Sequence, residues 1–164
     1  MIITRTPFRV SLFGGGTDLK EFYSKEPGCV FSFTIKKYVY LSINQFYENT
    51  GFFLKYSTIE KCQHLHEIKH RIIKSIFGQY GISAVELLAS ADFPGGTGMG
   101  SSSAFSVGMH RLCNEYIGEN FSNYEYAHLA CETEINKLNE PIGKQDQFGC
   151  AIGGPKFITF DTNG

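Results

Sequence analysis

The chain of 164 residues carries 15 basic and 16 acidic side chains, a net charge of −1, with 42% hydrophobic and 15% aromatic residues. That length is enough for one domain with its own core, and that composition excludes a disordered chain. The charge balance leaves no electrostatic footprint for nucleic acid or an anionic membrane, and no apolar run approaches the ~18 residues of a transmembrane helix.

The first residues, "MIITRTPFRV", have no long apolar segment and no small-residue cleavage site, so they do not read as a signal peptide. "IITRTPFRVSLF" is rich in β-branched and aromatic residues and reads as a strand ending at Gly14-Gly15-Gly16. "DLKEFYSKE" reads as a short helix over 18–26 with Asp18 as its N-cap. "CVFSFTI", "YVYLSINQFY" and "FFLKYS" read as three strands, the last two joined through the hairpin-type turn "ENTG". "EIKHRIIKSIFGQY" has helical periodicity through Ile68, Ile72, Ile73 and Ile76, and "AVELLAS" is a strand.

Beyond it lies "DFPGGTGMGSSSA", and then a helix whose apolar stripe runs through Phe105, Met109, Leu112 and Tyr116. "NYEYAHLACETEINKL" is a further helix, stopped before Pro141. "KQDQFGCAI" is a short helix or turn, and "KFITF" a last strand. Strands first and helices later predict an α+β fold, a largely antiparallel sheet with helices on one face.

Five cysteines, Cys29, Cys62, Cys113, Cys131 and Cys150, form no C-x-x-C pair. They read as reduced thiols buried as small hydrophobes in a cytoplasmic protein. In "HLHEIKH", His66 and His70 have the spacing to share a helix face with His64 nearby, but no carboxylate or cysteine completes a metal set, so a solvated helix face is the expectation.

Four of the six residues from Gly95 to Gly100 are glycine, and Ser101, Ser102 and Ser103 follow. Glycines let a backbone approach a ligand closely, and a helix starting behind them presents free N–H groups and a partial positive charge. Together these make an anion site, for which phosphate is the usual occupant. Serine hydroxyls there serve as helix caps or as magnesium ligands. "GGTGMGSS" has P-loop spacing, but Ser101 stands where the lysine belongs, and the dinucleotide-binding fingerprint is absent as well.

The string "PGGTGMGSSSA" resembles the P-x-x-x-G-L-G-S-S-A loop of the GHMP kinases, with Met99 for leucine and Ser103 for the first alanine. "TPFRVSLFGGGTD" resembles the family's N-terminal sugar motif. Its triple glycine is similar to the D-glycero-D-manno-heptose 7-phosphate kinase branch, whereas galactokinases carry an acidic residue and a histidine where Gly15 and Gly16 stand. "ETEINKLNEPIGKQDQFG" is similar to the family's glutamate, glycine, aspartate pattern through Glu134, Gly143 and Asp146.

The resemblance implies the GHMP kinase N-terminal fold, of the ribosomal protein S5 domain 2-like type, over residues 1–164, and ATP and Mg²⁺ as cofactors. By it, Pro94, Gly95, Gly96, Thr97, Gly98, Met99 and Gly100, with Ser101, Ser102 and Ser103, hold the phosphates. Ser102 and Glu134 hold magnesium, with Glu132 as the rival carboxylate. Asp146 receives the acceptor proton, against a plain helix-cap role. Lys144, two residues away in sequence, is placed to hold Asp146 ionised or to touch phosphate. Arg9, Gly14, Gly15, Gly16, Thr17 and Asp18 bind the substrate. Arg9, in a strand context, should meet a carboxylate or a phosphate, because a bare buried charge is costly.

The implied substrate is a small-molecule sugar phosphate: the anomeric hydroxyl of D-glycero-α-D-manno-heptose 7-phosphate becomes the 1,7-bisphosphate, en route to nucleotide-activated heptose. The alternatives are an L-fucose or other free-sugar kinase, and a non-catalytic sugar- or nucleotide-binding module. Family members run to roughly twice this length, in line with two lobes above ~250 residues. The expectation is therefore a domain lacking its C-terminal lobe, inactive alone, with an apolar face that self-associates.

Overall fold

In the computed structural model, which describes residues 1–162, six strands form one sheet and the helices pack on one of its faces. Strand β1 (Ile2–Phe13) runs antiparallel to β2 (Gly28–Gln45). The far edge of β2 is shared. Its first half pairs with the last strand, whose range is Pro155–Phe160, and its second half with the strand Val85–Ala91, both antiparallel. Between these in sequence come β3 (Phe52–Lys55) and β4 (Ile59–Cys62), so that Val85–Ala91 is β5 and Pro155–Phe160 is β6. The order is β1-β2-β5-β3-β4, and only β3 and β5 are parallel, so the largely antiparallel sheet is as expected.

The two strands read as "CVFSFTI" and "YVYLSINQFY" are one strand. A register shift opposite Phe8 absorbs Ile35, Lys36 and Lys37 as a bulge, and pairing resumes on both sides. The "ENTG" segment does not close a hairpin, because β5 inserts between β2 and β3, and Phe46 N–H bonds Ala84 O instead. The true hairpin is β3–β4. Its second strand, "IEKC", was not foreseen, since half of its residues are charged.

Helix α1 is only Lys20–Tyr23, and Asp18 does not cap it; Leu19 occupies the N-cap position without a side-chain bond. The helix expected from Glu67 onward begins at Arg71. The Glu67 carboxylate takes the N–H groups of Gln63 and His64 and closes a short 3₁₀ turn, Leu65–Glu67, while His70 caps α2 (Arg71–Tyr80) through Nδ1. His66 and His70 therefore lie on different elements, not on one helix face.

Helix α3 (Ser101–Ile117) runs through the middle of the domain. Met109 and Leu112 pack on the sheet with Phe8, Leu41, Ile43 and Leu87, and Phe105 and Tyr116 flank them. On its other side Val107 meets α4 (Asn123–Cys131) and α5 (Gln145–Ala151) through Tyr126, Ala127, Ala130, Phe148 and Ala151. α4 opens with a Ser122–Glu125 capping box and does not run on to Leu138; a π-helical turn, Glu132–Lys137, follows it. The opposite sheet face leaves Ile3, Phe13, Leu88 and Phe157 exposed. All five cysteines are free. Cys113, Cys131 and Cys150 are buried, but Cys62 is half-buried and Cys29 is exposed at the start of β2, against expectation. Among the described residues no helix is long and apolar enough to cross a membrane.

His110 is fully buried in α3, between Tyr80 Oη at its Nδ1 and Thr133 Oγ1 at its Nε2, each at 2.9 Å. Burial pushes its pKa down to about 3, so the folded protein holds it neutral. Between pH 6.5 and 3 the unfolded chain binds a proton that the folded chain does not. Its contribution to stability is complete above pH 6.5 and is lost on acidification at ~1.4 kcal/mol per pH unit. Urea unfolding between pH 7.5 and 4 should show His110→Gln losing stability less steeply than wild type; parallel slopes would contradict this.

Candidate active site

The residues from Pro94 to Gly100 cross from the end of β5 to the start of α3 as an irregular loop in which Gly96, Gly98 and Gly100 all have positive φ. Gly100 is the N-cap of α3 at φ 72°, and a Cβ there would also press on Arg9 Cγ and Cys150 Sγ at 3.3 Å. No side chain caps this 17-residue helix. Its first N–H groups have no intrahelical acceptors, which gives the loop a concentrated positive pole. A plain serine cap is thereby excluded.

Ser102 Oγ donates to Glu134 Oε1 at 2.6 Å, and Gln147 Nε2 donates to Oε2 at 2.8 Å. Glu134 is wholly buried. Burial pushes its carboxyl up, against the hydrogen bonds from Ser102, Gln147 and Ser103; the charge of Asp146 adds to the upward push. The π-helical turn lets the consecutive Thr133 and Glu134 both face α3, one bonding His110 and the other Ser102. Glu132 is exposed and bonds Asn136. Among the described residues no three His, Cys, Asp or Glu side chains gather as a metal cage. One carboxylate with one hydroxyl suits Mg²⁺, which keeps several waters and takes most of its remaining ligands from a phosphorylated substrate.

Arg9 is buried in β1 against the Pro94–Gly100 loop. Its Nε donates to Asp146 Oδ1 at 3.0 Å and Nη2 to the same oxygen, while Nη1 donates to Gly98 O at 2.8 Å. The expected carboxylate partner is Asp146. That aspartate lies in the first turn of α5 but does not cap it, and its side chain is 25% exposed. Both Arg9 donors converge on Oδ1, which leaves Oδ2 without a protein donor among the described residues.

Asp18 lies nearly buried beside the first glycine loop. Oδ1 accepts from Gly16 N at 3.0 Å and Gln145 Nε2 at 3.1 Å, and Oδ2 accepts from Gln145 N at 3.1 Å. Gly143 has to be glycine, because a Cβ would sit 1.9 Å from Asp18 Oδ2. Thr17 Oγ1 donates to Gly14 O at 2.8 Å and accepts from Cys29 N at 3.1 Å. Lys144 does not reach Asp146. Its amine lies 5.2 Å from the Tyr23 ring centroid, on the other side of the Gly143–Gln145 segment, because Lys144, Gln145 and Asp146 leave the start of α5 in different directions.

Two cavities flank the loop. One, of about 670 Å³, is lined by Tyr56, His70, Ile72, Phe93 and Phe105 and also by Pro94, Gly95, Ser101 and Ser102. The other, of about 410 Å³, is lined by Arg9, Ser11, Phe13, Gly14, Gly15, Gly98, Met99 and Gln145. Sequence reading missed Gln145 and Gln147, which orient Asp18 and Glu134, and the apolar slot.

Residues 66–154 match the GHMP kinases N terminal domain. The chain belongs to the GHMP kinase family. It is 31% identical to a D-glycero-alpha-D-manno-heptose 7-phosphate kinase of Campylobacter jejuni, over 99% of this chain and 51% of that protein. It is 29% identical to a galactokinase of Thermosipho africanus, over 95% of this chain and 45% of that protein. The crystal structure of a D-glycero-D-manno-heptose 1-phosphate kinase from Bacteroides thetaiotaomicron superposes with a TM-score of 0.90 at 24% identity, covering 99% of this chain and 57% of that one. The chain thus spans about half the length of the relatives it matches.

In this GHMP kinase domain the two carboxylates of the π-helical turn have opposite settings, which gives a sharp test. Glu134→Gln should raise the Mg²⁺ concentration needed for half-maximal nucleotide binding severalfold, and Glu132→Gln should leave it unchanged. A larger effect at Glu132 would show that the buried Ser102–Glu134 pair is only structural.

Proposed function

We propose that this domain belongs to an ATP-dependent kinase whose acceptor is the anomeric hydroxyl of D-glycero-α-D-manno-heptose 7-phosphate. The observation that carries the reading is the Asp146 carboxylate, held by Arg9 with Oδ2 free, where Arg9 and the neighbouring Gln145 line the smaller cavity. The 31% identity to the Campylobacter jejuni heptose 7-phosphate kinase and the bare Gly14-Gly15-Gly16 loop support the acceptor.

In this reading the base of ATP enters the apolar slot beside Phe105, and its phosphates lie along Pro94–Gly100 against the first N–H groups of α3. Mg²⁺ supplies charge neutralisation at the phosphates, and Ser102 and Glu134 are the groups that would hold it. The acceptor sits in the smaller cavity. Its hydroxyl oxygen forms the new bond to the γ-phosphorus, the bond from that phosphorus to the β–γ bridging oxygen breaks, and ADP leaves. Asp146 Oδ2 orients the hydroxyl and takes its proton. Arg9 holds the carboxylate in place and spans to Gly98 O, so the base and the phosphate loop keep a fixed separation. Positioning of this kind supplies much of the rate in phosphoryl transfer.

The test is a coupled ADP-release assay on the full-length enzyme that contains this domain, with heptose 7-phosphate, L-fucose and galactose as acceptors. Heptose 7-phosphate should be turned over with the highest kcat/KM, and Asp146→Asn should lower kcat about 10²-fold or more with nucleotide affinity changed far less. Turnover of L-fucose in preference to heptose 7-phosphate would contradict the acceptor. A near-normal kcat in Asp146→Asn would contradict the base.

A further inference from the structure

A phosphorylated acceptor brings a second dianion, and the cavity lined by Arg9 and Gln145 makes no provision for it. Of the residues lining that cavity only Arg9 is basic, and all three of its donor nitrogens are committed to Asp146 and Gly98 O. Arg5 lies over the Tyr38 ring, and Lys156 donates to Gly149 O at 3.2 Å. A third cavity, of about 360 Å³, lies on the far side of the Gly143–Gln145 segment. Lys20 and Lys144 line it, together with Tyr23, Ser24 and Asn136. Among the described residues neither lysine pairs with a carboxylate; Lys144 rests on the Tyr23 ring, and Lys20 is exposed.

The two cavities share one wall. Gln145 lines the acceptor side, while Gly143, Lys144 and Asp18 line the other. The rim over this wall carries no side chains. A Cβ at Gly15 would meet only Gln145 Nε2, at 3.8 Å, and one at Gly16 would meet nothing within 4 Å. An extended acceptor can therefore cross the rim with its reacting end at Asp146 and its tail beyond the glycines. Both carboxylate oxygens of Asp18 are occupied by N–H donors, so it stays turned into the wall.

We propose that the cavity carrying Lys20 and Lys144 is the subsite for the remote phosphate of a sugar-phosphate acceptor, and that the triple glycine keeps the path to it open. This rests on the acceptor reading given under Proposed function. Two ammonium groups with a hydroxyl and an amide nearby match a phosphate monoester, which asks for point charges and donors more than for a planar fork.

Calorimetric titration of the chain with Mg²⁺ and a non-hydrolysable ATP analogue, then with heptose 7-phosphate or unphosphorylated heptose, tests it. The wild type should bind the phosphorylated sugar at least tenfold more tightly. Lys20→Gln/Lys144→Gln should abolish that preference without weakening unphosphorylated heptose or the nucleotide, and Lys144→Arg should retain most of it. Gly15→Asp should remove the preference as well, by placing a carboxylate on the rim. A double glutamine variant that keeps the preference, or a wild type that binds both sugars alike, overturns the subsite while leaving the kinase reading intact. A chain that binds the nucleotide but neither form of heptose overturns the acceptor assignment, and the subsite with it.

Discussion

The guanidinium of Arg9 is the charge around which the site is built. It projects from β1, almost without solvent, and its stem runs between Gly100 of the phosphate loop and Gly149 of α5. A buried cation without a partner costs several kcal/mol, about 3–5 when one member of a buried pair is deleted. Arg9 therefore demands Asp146, and in meeting it ties the sheet to α5 and, through Gly98 O, to the loop. Arg9 N–H also bonds Met99 O at 3.3 Å, a second link between strand and loop. One residue thus fixes the relative positions of the Asp146 carboxylate, the Pro94–Gly100 loop and the smaller cavity.

The other half of the site is set from α3. A helix buried on most sides is rigid, and its polar residues are satisfied by the elements around it: His110 by Tyr80 and Thr133, and Ser102 by Glu134. The π-helical turn makes the last two contacts possible at once. Gln147 and Asp146 then leave α5 toward Glu134 and Arg9, so neighbouring residues of one short helix reach both the Ser102–Glu134 pair and the Arg9 guanidinium. A shift of α5 would move both together.

The architecture was legible where the signal is a pattern: the long first strand, the apolar stripe of α3, the last strand, and the glycine-rich loop with its serines. It failed where tertiary pairing overrides local signals. "ENTG" has hairpin chemistry, but β5 takes the place beside β2 that β3 would have had. Asp18 has N-cap chemistry, but the N–H of nearby Gly16 and two N–H donors of distant Gln145 claim its carboxylate. In the site, spacing and resemblance pointed to Ser102, Glu134 and Asp146 as a group, and burial separated Glu134 from Glu132. The orienting roles of Gln145 and Gln147 had no local signature, since nothing in a glutamine's neighbours says which remote carboxylate it will hold. The expected contact of Lys144 with Asp146 is absent for the same reason. Two residues from Asp146 in sequence, Lys144 leaves the start of α5 on the other side.

The central claim is that the uncapped start of α3 receives the nucleotide phosphates between Arg9–Asp146 and Ser102–Glu134. A crystal structure of the chain with Mg²⁺ and a non-hydrolysable ATP analogue tests it most directly. The account predicts phosphate oxygens within hydrogen-bond distance of the N–H groups of residues 100–103, the base in the slot beside Phe105, and the metal on Ser102 and Glu134. Phosphates bound away from the Pro94–Gly100 loop, or a metal held without Glu134, would contradict it.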